Sequence, residues 1–479
     1  MQYVMESGGI MDVPLKGLSE FAGKRVHLIG IGGSGMCALA GVLLDCGAII
    51  SGSDMAASPQ SMRLESLGAK IGYPQSAANL PPAGALVVHS SAIKSNNPEL
   101  LGAMQGQYEV LKYAQMLGRL MKSAYGVAIS GTHGKSTTTG MVSWTLKQAS
   151  KDPSYIVGAG IPQLGTPSAA GKGNLFVVEA CEFDRSFLNY QPHLATILNI
   201  DEDHLDCYRD LDDIVNAFAC FASNVSPDGV LVINGEDPDA IKASLSCKAR
   251  VETFGLAAHC HWRGTNLSVS RGRRSMDVLR DGKFFARLSI QLAGLHNAYN
   301  ALAAAALLHH AGVDADAIAQ GVKTFNGVER RMMHKATTDG ITVVDDYAHH
   351  PAEIEASLKA LREFYQPKRL ICVFQPHQHS RTRFLLKDFA TSLSRCDEAI
   401  LPDIYFVRDS EMEKDYISSE DLAAQVRMQG GDAVYLGSFD NIKAHLQSRL
   451  KTGDLLVTMG AGNVWEIADE IIRWLGKDC

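Results

Sequence analysis

The sequence lacks closely spaced cysteine pairs, long basic runs and long hydrophobic runs. Its ten cysteines are scattered, which argues against a disulfide framework and against a structural zinc site. A formal net charge of −7 without a basic stretch argues against nucleic acid or an anionic membrane as the main partner. No apolar run approaches the ~18 residues that span a bilayer, and residues 1–25 contain no apolar core of the signal-peptide type. We therefore expect a reduced, cytoplasmic protein.

What is present indicates a multidomain α/β protein. The chain has 479 residues, and because single cores rarely grow past ~250 residues, we expect about three domains. Hydrophobic residues make up 46% and charged residues 20% of the chain, the proportions of an ordinary globular protein. Strand and helix patterns alternate through most of the sequence, which favours parallel sheets with helices between the strands.

The most informative stretch is Val127–Thr139, which reads VAISGTHGKSTTT. An apolar strand pattern leads into a turn with Gly131 and Gly134, and a helix pattern follows. Glycines let the backbone turn its N–H groups toward an anion, and the start of the helix adds about half a positive charge. The P-loop spacing would place a glycine where this chain has Ile129, so the general motif is met only in part.

The residues after this turn fit nucleotide chemistry. Lys135 supplies a positive charge for the β- and γ-phosphates, and the hydroxyl of Ser136 or Thr137 is placed to bind Mg²⁺. Glycine, lysine and hydroxyl residues also cluster by chance in loops. The order of strand, turn and helix favours a phosphate site.

A second glycine turn lies near the start of the chain. The run RVHLIGIGGSGMCALAGVLL places Gly30, Gly32 and Gly35 in the GxGxxG positions, and Asp54 ends the next strand pattern. In a dinucleotide enzyme, that aspartate would bind a ribose hydroxyl. The motif indicates phosphates near a helix start more firmly than it indicates NAD.

Polar residues follow several other predicted strands. Ser90 and Ser91 come after one strand, at the end where open α/β sheets bind ligands, although each could equally be a turn or cap residue. Glu179, with Glu182 close behind, ends a strand after the lysine turn, and the segment NIDEDHLD adds His204 among acidic residues. Carboxylates at strand ends beside a phosphate turn are suited to hold Mg²⁺, whereas the alternative is a pair of solvated loops.

The later part of the chain carries amide, histidine and arginine residues. Asn297 opens a helix, where it could cap the helix or read an adenine edge. Residues 249–292 suggest antiparallel strands, and residues 110–122 a helical link. Histidines and arginines then follow two further strands, in the segments DDYAHHPAEI and FQPHQHSRTRF. Arginine suits carboxylate and phosphate recognition because its planar group binds two oxygens at once.

These motifs together resemble a known family. The segments GIGGSGM, GTHGKST, EACEFD, NIDEDHLD, GLHNAYNALA, GVERR, DDYAHHPAEI and FQPHQHSR occur in this order from Gly30 to Arg381. The set closely resembles the ATP-dependent Mur ligases of bacterial peptidoglycan synthesis, and within them the branch that adds alanine. The resemblance implies three domains: a Rossmann-like domain for the UDP-sugar at 1–122, a P-loop-type ATPase domain at 123–328 and a C-terminal Rossmann-like domain at 329–479.

The resemblance also implies a reaction. Such an enzyme would join L-alanine to the carboxylate of UDP-N-acetylmuramate through an acyl phosphate, with ATP and Mg²⁺, and release ADP and phosphate. Every species on that path is anionic and needs positive charge around it. We expect domain closure to be required, and a monomer or a weak homodimer.

Site residues follow from the matched positions. The resemblance implies that the nucleotide is held by residues of the lysine turn and of three later segments: Gly131, Thr132, His133, Gly134, Lys135, Ser136, Thr137, Asn297, Arg331 and Asp345. Metal binding falls to Ser136, Glu179 and His204. Gly32, Gly33 and Ser34 match the turn that holds the UDP-sugar diphosphate, and Asp54, Ser90 and Ser91 are further substrate candidates by position.

The last predicted domain supplies the rest of the predicted site. Tyr347, His349, His377 and Arg381 match the region that receives the alanine and the reacting carboxylate. The amine must be neutral to attack, and a histidine such as His204 or His349 is a candidate base. Other Mur ligases use a carbamylated lysine in the central domain. Residues 173–241 contain no lysine, which fits the alanine-adding branch.

One segment departs from the family pattern, and two other functions compete. The commoner form of EACEFDRSF reads EADESDGSF, so Cys181 replaces an aspartate, and Phe183 and Arg185 also differ.

A related ligase that reattaches a recycled tripeptide to the same UDP-sugar shares most motifs. An NAD-dependent oxidoreductase built on the first glycine turn would leave the lysine turn without a purpose.

Overall fold

The computed structural model describes residues 18–202, 207–270, 273–406 and 409–476. It is an α/β structure with three sheets, as the sequence predicts. Within the part of the chain that the structure describes, none of the helices has the length and apolar character needed to cross a bilayer.

The first sheet consists of five parallel strands in the order β3-β2-β1-β4-β5. The strands are β1 (Arg25–Ile29), β2 (Ile49–Ser53), β3 (Lys70–Gly72), β4 (Leu86–His89) and β5 (Glu109–Lys112). The helices are α1 (Ser34–Asp45), α2 (Pro59–Ser66), α3 (Pro98–Gln105) and α4 (Tyr113–Lys122), with short 3₁₀ turns at Leu18–Phe21 and Ala77–Asn79. This strand order is that of Rossmann folds, which bind ligands where the direction of the connections reverses.

The second sheet has ten strands in the order β15-β14-β13-β12-β11-β10-β6-β9-β7-β8. The strands are β6 (Tyr125–Ser130), β7 (Ser154–Ile156), β8 (Ser168–Ala169), β9 (Leu175–Glu179), β10 (Leu194–Ile197), β11 (Val230–Asn234), β12 (Arg250–Gly255), β13 (Trp262–Ser270), β14 (Arg273–Arg280) and β15 (Lys283–Ile290). The helices are α5 (Lys135–Gln148), α6 (Leu211–Ser223), α7 (Pro238–Ser244), α8 (His296–His310) and α9 (Ala315–Thr324), with a 3₁₀ segment at Phe183–Asn189. Strand β6 is central, with β9 and β10 parallel on its two sides.

The third sheet has six strands in the order β16-β17-β21-β18-β19-β20. The strands are β16 (Met333–Thr338), β17 (Ile341–Asp346), β18 (Arg369–Phe374), β19 (Glu398–Pro402), β20 (Ala433–Gly437) and β21 (Asp454–Met459). The helices are α10 (Pro351–Tyr365), α11 (His379–Phe384), α12 (Leu386–Leu393), α13 (Ser419–Met428), α14 (Phe439–Arg449) and α15 (Trp465–Leu475), with a 3₁₀ turn at Glu411–Asp415. Strand β16 is antiparallel to β17, and the other pairs are parallel.

Two local expectations from the sequence are wrong in part, although Tyr113–Lys122 of the expected helical link does form helix α4. The segment expected to be a helical link begins with strand β5, which pairs with β4; its short run EVLK is too brief to show a strand period. The segment expected to be antiparallel begins with β12, which is parallel to β11, and β13 is parallel to β12 over Phe254 and Gly255. Periodicity within a strand carries no information about the direction of its partner.

The described residues divide into two compact units. The first contains the described residues up to Leu267, Met276–Ser289 and Ala298–Phe325. The second contains those of Ser268–Ser275, Ile290–Asn297 and the described residues from Asn326 onward. The three-domain boundaries expected from the sequence stay a prediction.

Candidate active site

The lysine turn connects a strand that is buried from Gly126 to Ser130 to a long helix. Strand β6 ends at Ser130, and α5 begins at Lys135 after Gly134, whose φ of 83° lies in the left-handed region. Gly131 has a φ of 137°. A Cβ at Gly134 would lie 2.5 Å from Oδ1 of the buried Asn300, so both conformation and space require glycine there.

Asn199, two residues after the end of the neighbouring strand β10, fixes the shape of this turn. The amide of His133 donates to Asn199 Oδ1 at 2.7 Å, and Asn199 Nδ2 donates back to the His133 carbonyl at 3.1 Å. The amide of Thr132 donates to the Asn199 carbonyl at 3.0 Å. These two amides are therefore engaged within the protein. The first turn of α5, from Lys135 to Thr137, is the part of the motif whose amides have no partner within the helix.

Lys135 is held against its own turn and against an acidic partner. Its Nζ donates to the carbonyls of Gly131 at 2.6 Å and Thr132 at 2.9 Å, and to Glu182 Oε1 at 3.0 Å. The second oxygen of Glu182 is also 3.0 Å away. Because the side chain of Glu182 is only 3% exposed, this pair is largely desolvated, and removing either partner would leave a buried charge unpaired.

Glu182 is positioned by the segment that follows it. Its carbonyl accepts a hydrogen bond from the Tyr208 hydroxyl at 2.5 Å. Asp184 and Arg185 both have φ near 50°, a conformation that costs a non-glycine residue roughly 1–2 kcal/mol. Arg185 in turn binds Asp213 at 2.8 Å and lies over the ring of Tyr208.

Of the predicted metal ligands, Glu179 ends strand β9, and Ser136 lies in the helix that follows the adjacent strand β6. Glu179 is the last residue of β9 and is in register with Ile129 of β6, while Ser136 is the second residue of α5. One oxygen of Glu179 accepts from the amide of Gly158 at 2.8 Å. A carboxylate and a hydroxyl fit the oxygen chemistry of Mg²⁺, which keeps several waters and binds through one or two protein groups plus phosphates.

The third predicted metal ligand, His204, lies outside the described residues. Within the described ranges, no group of three or more His, Cys, Asp and Glu side chains forms a metal cluster. Cys181 stands between the two glutamates of the segment, and burial together with the charge of Glu182 raises the pKa of its thiol to about 11. The thiol is therefore neutral near pH 7, so it does not replace the charge of the family's aspartate.

The first glycine turn opens onto a cleft of about 720 Å³. The amide of Gly32 donates to Asp54 Oδ2 at 2.7 Å, and the amide of Met55 donates to Asp54 Oδ1 at 2.7 Å. Asp54 thus shapes the turn itself, a role that the sequence does not indicate.

Four of the predicted substrate residues line this cleft, namely Gly32, Gly33, Asp54 and Ser90. Ser34 and Ser91 are adjacent to lining residues, but they are not among the described residues that line it. Residues outside the predicted site also line it, among them Gln75, Lys94 and Asn97. Asn97 caps α3 and donates to Gln75 at 2.8 Å, so a helix-cap residue can line a ligand cleft as well.

In the second unit, β17 ends in two buried aspartates. Asp345 accepts from the Thr458 hydroxyl at 2.6 Å and lies 3.3 Å from Arg330 Nε. Burial raises the pKa of Asp345 above its ordinary value, against the opposing effects of Thr458 and Arg330. The sequence assigns Arg331 to the phosphates and does not single out Arg330, which makes this ion pair. Both arginines lie over the ring of Tyr347.

The predicted alanine-binding residues lie around Tyr347. The Nδ1 atom of His349 lies 3.1 Å from the carbonyl oxygen of Tyr347. The ring centroids of His349 and His377 are 6.3 Å apart. Burial lowers the pKa of His349, and the positive charges of Arg381 and Arg331 lower it further, while Glu353 opposes this change. A histidine with a lowered pKa is neutral near pH 7 and can accept a proton.

Asn297, the predicted adenine contact, is buried at the start of α8. Its Nδ2 donates to the Ala293 carbonyl at 2.6 Å. Three residues further along the same helix, Asn300 lies against Gly134 of the lysine turn. Residues three apart on a helix lie next to each other on one face. This spacing in the sequence could have indicated Asn300 as a second site residue beside Asn297.

Family models match most of the chain. The model described as "Mur ligase family, catalytic domain" matches residues 25–125. The "Mur ligase middle domain" matches residues 129–308, and "Mur ligase, glutamate ligase domain" matches residues 330–462.

Curated relatives match along nearly the whole length. The chain is 40% identical over 452 residues to the UDP-N-acetylmuramate–L-alanine ligase of Caldanaerobacter subterraneus subsp. tengcongensis, covering 94% of this chain and 97% of the relative. It is 41% identical over 451 residues to the enzyme of the same name from Clostridium novyi, with the same coverage.

Solved structures have the same fold. The UDP-N-acetylmuramate-alanine ligase of Thermotoga maritima has a TM-score of 0.79 at 26% identity and covers 95% of this chain and 100% of its own. A murein peptide ligase from Psychrobacter arcticus has a TM-score of 0.66 at 24% identity, with 95% and 99% coverage. The two glycine turns and Glu179 lie within the residues that the family models match. The chain therefore belongs to the Mur ligase family.

Proposed function

We propose that the protein is an ATP-dependent ligase that joins L-alanine to the carboxylate of UDP-N-acetylmuramate in peptidoglycan synthesis. The observation that carries the proposal is the pair of glycine turns in one compact unit. The first opens onto a cleft, and the second combines Lys135 with Glu179 on the neighbouring strand. Relatives that match 94% of the chain carry the name of this activity.

ATP is assigned to the lysine turn. The first turn of α5 offers backbone amides to the phosphates, and Lys135 offers a positive charge. We assign Ser136, Glu179 and His204 to Mg²⁺, which would shield the charge of the phosphates when bound. The same proposal gives adenine, phosphate and ribose contacts to Asn297, Arg331 and Asp345.

The reaction proceeds in two steps. A carboxylate oxygen of the UDP-sugar attacks the γ-phosphorus of ATP, and the bond to the ADP oxygen breaks. The neutral amine of alanine then attacks the carbonyl carbon of the acyl phosphate, the resulting tetrahedral species expels phosphate, and the amine loses a proton. Arg381 is proposed to stabilise negative charge on this path.

The proton acceptor is proposed to be His349 or His204. The lowered pKa of His349 leaves its imidazole neutral near pH 7, as a base requires. Tyr347 and His377 are assigned to the same substrate region. We further propose that the protein works in the cytoplasm as a monomer or a weak homodimer.

Release of ADP from the purified protein tests this function. We expect release to require ATP, UDP-N-acetylmuramate and L-alanine together, and the product to have the mass of UDP-N-acetylmuramoyl-L-alanine. A ligase that recycles a tripeptide would instead release ADP with the tripeptide and not with alanine. The family membership gives no support to an oxidoreductase. Nicotinamide binding without alanine-dependent ADP release would contradict the proposal.

A further inference from the structure

A buried histidine–glutamate pair joins the first sheet to helix α3. The side chains of His27 in β1 and Glu99 in α3 are both 0% exposed. Nε2 of His27 lies 2.7 Å from Oε1 of Glu99, and Nδ1 of His27 lies 2.8 Å from the hydroxyl oxygen of Ser51. A glutamate is rarely buried this deeply unless hydrogen bonds satisfy its side-chain oxygens.

The second oxygen of Glu99 binds two further segments. It accepts a hydrogen bond from the hydroxyl of Ser53 at 2.6 Å and another from the amide of Ser76 at 3.1 Å. Ser53 ends β2 and directly precedes Asp54, while Ser76 directly follows Gln75. Both Asp54 and Gln75 line the cleft of the first glycine turn. One carboxylate oxygen therefore holds the immediate neighbours of two lining residues.

The backbone of Glu99 adds a second connection through Asn97. The amide of Glu99 donates to Oδ1 of Asn97 at 3.0 Å, and Nδ2 of Asn97 donates to Oε1 of Gln75 at 2.8 Å. Asn97 lines the cleft as well. Because Gln75 is also next to Ser76 in the chain, the loop that carries it is connected to Glu99 at two points.

The carbonyl of Ser53 extends the network to the glycine turn. It accepts hydrogen bonds from the amides of Gly30 at 2.8 Å and Ile31 at 3.0 Å. The next residue, Asp54, accepts from the amide of Gly32 at 2.7 Å. Each of the four chain segments that line the cleft thus has a residue connected to one buried carboxylate.

We propose that Glu99 is a positioning residue for the UDP-sugar. Its carboxylate does not touch the substrate, since it is fully buried, but it holds the four lining segments in the arrangement that binds it. A cleft that is formed in advance binds more tightly, because the ordering of its loops and side chains is not a cost of binding. His27 assists by binding the other carboxylate oxygen. This inference rests on the proposed function, which places the UDP-sugar at the first glycine turn.

A second buried histidine–glutamate pair in the same compact unit provides a comparison. Oε2 of Glu252 in β12 lies 2.9 Å from Nε2 of His310 and accepts from Nε1 of Trp262 at 2.6 Å, and the glutamate side chain is 2% exposed. None of these three is among the described residues that line the cleft. The two glutamates share burial and a histidine partner, and they differ in their connection to the cleft.

The test is Glu99→Gln, which keeps the shape of the side chain and removes its charge. A carboxamide has one acceptor oxygen, so it cannot accept from the partners of both carboxylate oxygens. The dissociation constants of UDP-N-acetylmuramate and ATP are measured by calorimetry on the full chain, together with KM, kcat and the melting temperature. We expect the Kd and KM of the UDP-sugar to rise about tenfold. The kcat at saturating UDP-sugar and the Kd of ATP should stay within about twofold.

Glu252→Gln is the matched control. It should also lower the melting temperature, but it should leave the Kd of the UDP-sugar within about twofold. A purely structural role of Glu99 predicts the same outcome for both variants. An unchanged Kd of the UDP-sugar in Glu99→Gln would overturn the inference, as would an equal rise of that Kd in Glu252→Gln.

Ser53→Ala carries the test if Glu99→Gln does not fold. This variant removes one hydrogen bond to the carboxylate and keeps the carbonyl that binds the glycine turn. We expect the Kd of the UDP-sugar to rise a few-fold, and an unchanged value would contradict the proposed role of Glu99. The proposed function fails separately, when the unaltered protein shows no alanine-dependent release of ADP.

Discussion

The two glycine turns of the first unit share a backbone design and differ in charge. Each follows a buried parallel strand and begins with a glycine in the left-handed range, Gly30 with a φ of 82° and Gly131 with a φ of 137°. The first turn has a carboxylate, Asp54, that accepts a hydrogen bond from the amide of Gly32. The second has Lys135, paired with the buried Glu182.

This difference shows what each turn is suited to hold. A diphosphate that stays intact needs a shaped surface and backbone donors. A phosphoryl group that is transferred develops charge on its leaving and accepting oxygens, so it needs positive charge nearby. The comparison predicts that mutations in the lysine turn act on ATP and turnover, while mutations in the first turn act on the UDP-sugar.

The largest effect is expected for Lys135→Ala. Loss of its charge should lower the rate of ADP release by roughly 10²–10³-fold or more. The variant also leaves the buried carboxylate of Glu182 unpaired, which costs about 3–5 kcal/mol in the free energy of unfolding. The measurements are steady-state ADP release and denaturant unfolding.

The double variant Lys135→Met with Glu182→Gln separates the two consequences. It removes both charges, so the unfolding free energy should recover most of the loss while turnover stays abolished. Turnover within tenfold of the unaltered protein in either variant would show that Lys135 does not act on the phosphates.

Removal of Mg²⁺ should weaken ligand binding at the lysine turn and leave ligand binding at the first glycine turn nearly unchanged. Chelation with EDTA is expected to abolish ADP release and weaken ATP binding at least tenfold, because phosphate charge would no longer be shielded. The Kd of UDP-N-acetylmuramate at the first turn should stay within twofold. Equal losses for both ligands, measured by calorimetry, would contradict separate roles for the turns.

Local features of both turns could be predicted from the sequence. A few consecutive residues predict the order of strand, glycine turn and helix, because glycine permits the left-handed conformation and apolar runs form buried strands. The same kind of pattern predicts Glu179 at a strand end, and it is the last residue of β9. The same local patterns predict the alternation of strands and helices along the chain.

Contacts between distant residues could not be predicted in this way. Nothing near Glu182 indicates that it pairs with Lys135, because the two residues are 47 positions apart in the sequence. The approach of Asn300 to Gly134 joins two parts of the unit that are far apart in sequence. Arg330, with a φ of 59°, makes an ion pair with Asp345, a contact that no pattern near it in the sequence indicates.

An intermediate effect is expected for Gly134→Ala. The new methyl would be strained by the φ of 83° and would lie 2.5 Å from Asn300 Oδ1, whose residue is only 4% exposed and cannot move freely. We expect the Kd of ATP to rise about tenfold or more, since the start of α5 must shift.

Gly84→Ala is the control for backbone strain alone. Gly84 has a φ of 88°, and an added methyl would have nothing within 4 Å of it. The variant should therefore lose roughly 1 kcal/mol of stability and no ATP affinity. If Gly134→Ala behaves like Gly84→Ala, the contact with Asn300 is not needed for the shape of the turn.

The smallest effect is expected for the same substitution in the first turn, Gly32→Ala. A methyl there would lie 2.7 Å from Asp54 Oδ2, but Asp54 is partly exposed and its carboxylate can rotate away. We therefore expect the Kd of UDP-N-acetylmuramate to rise only a few-fold and the Kd of ATP to stay constant. In an Asp54→Ala background the methyl meets no carboxylate, so the additional cost of Gly32→Ala should disappear; a cost that persists there would mean that the methyl obstructs the ligand itself.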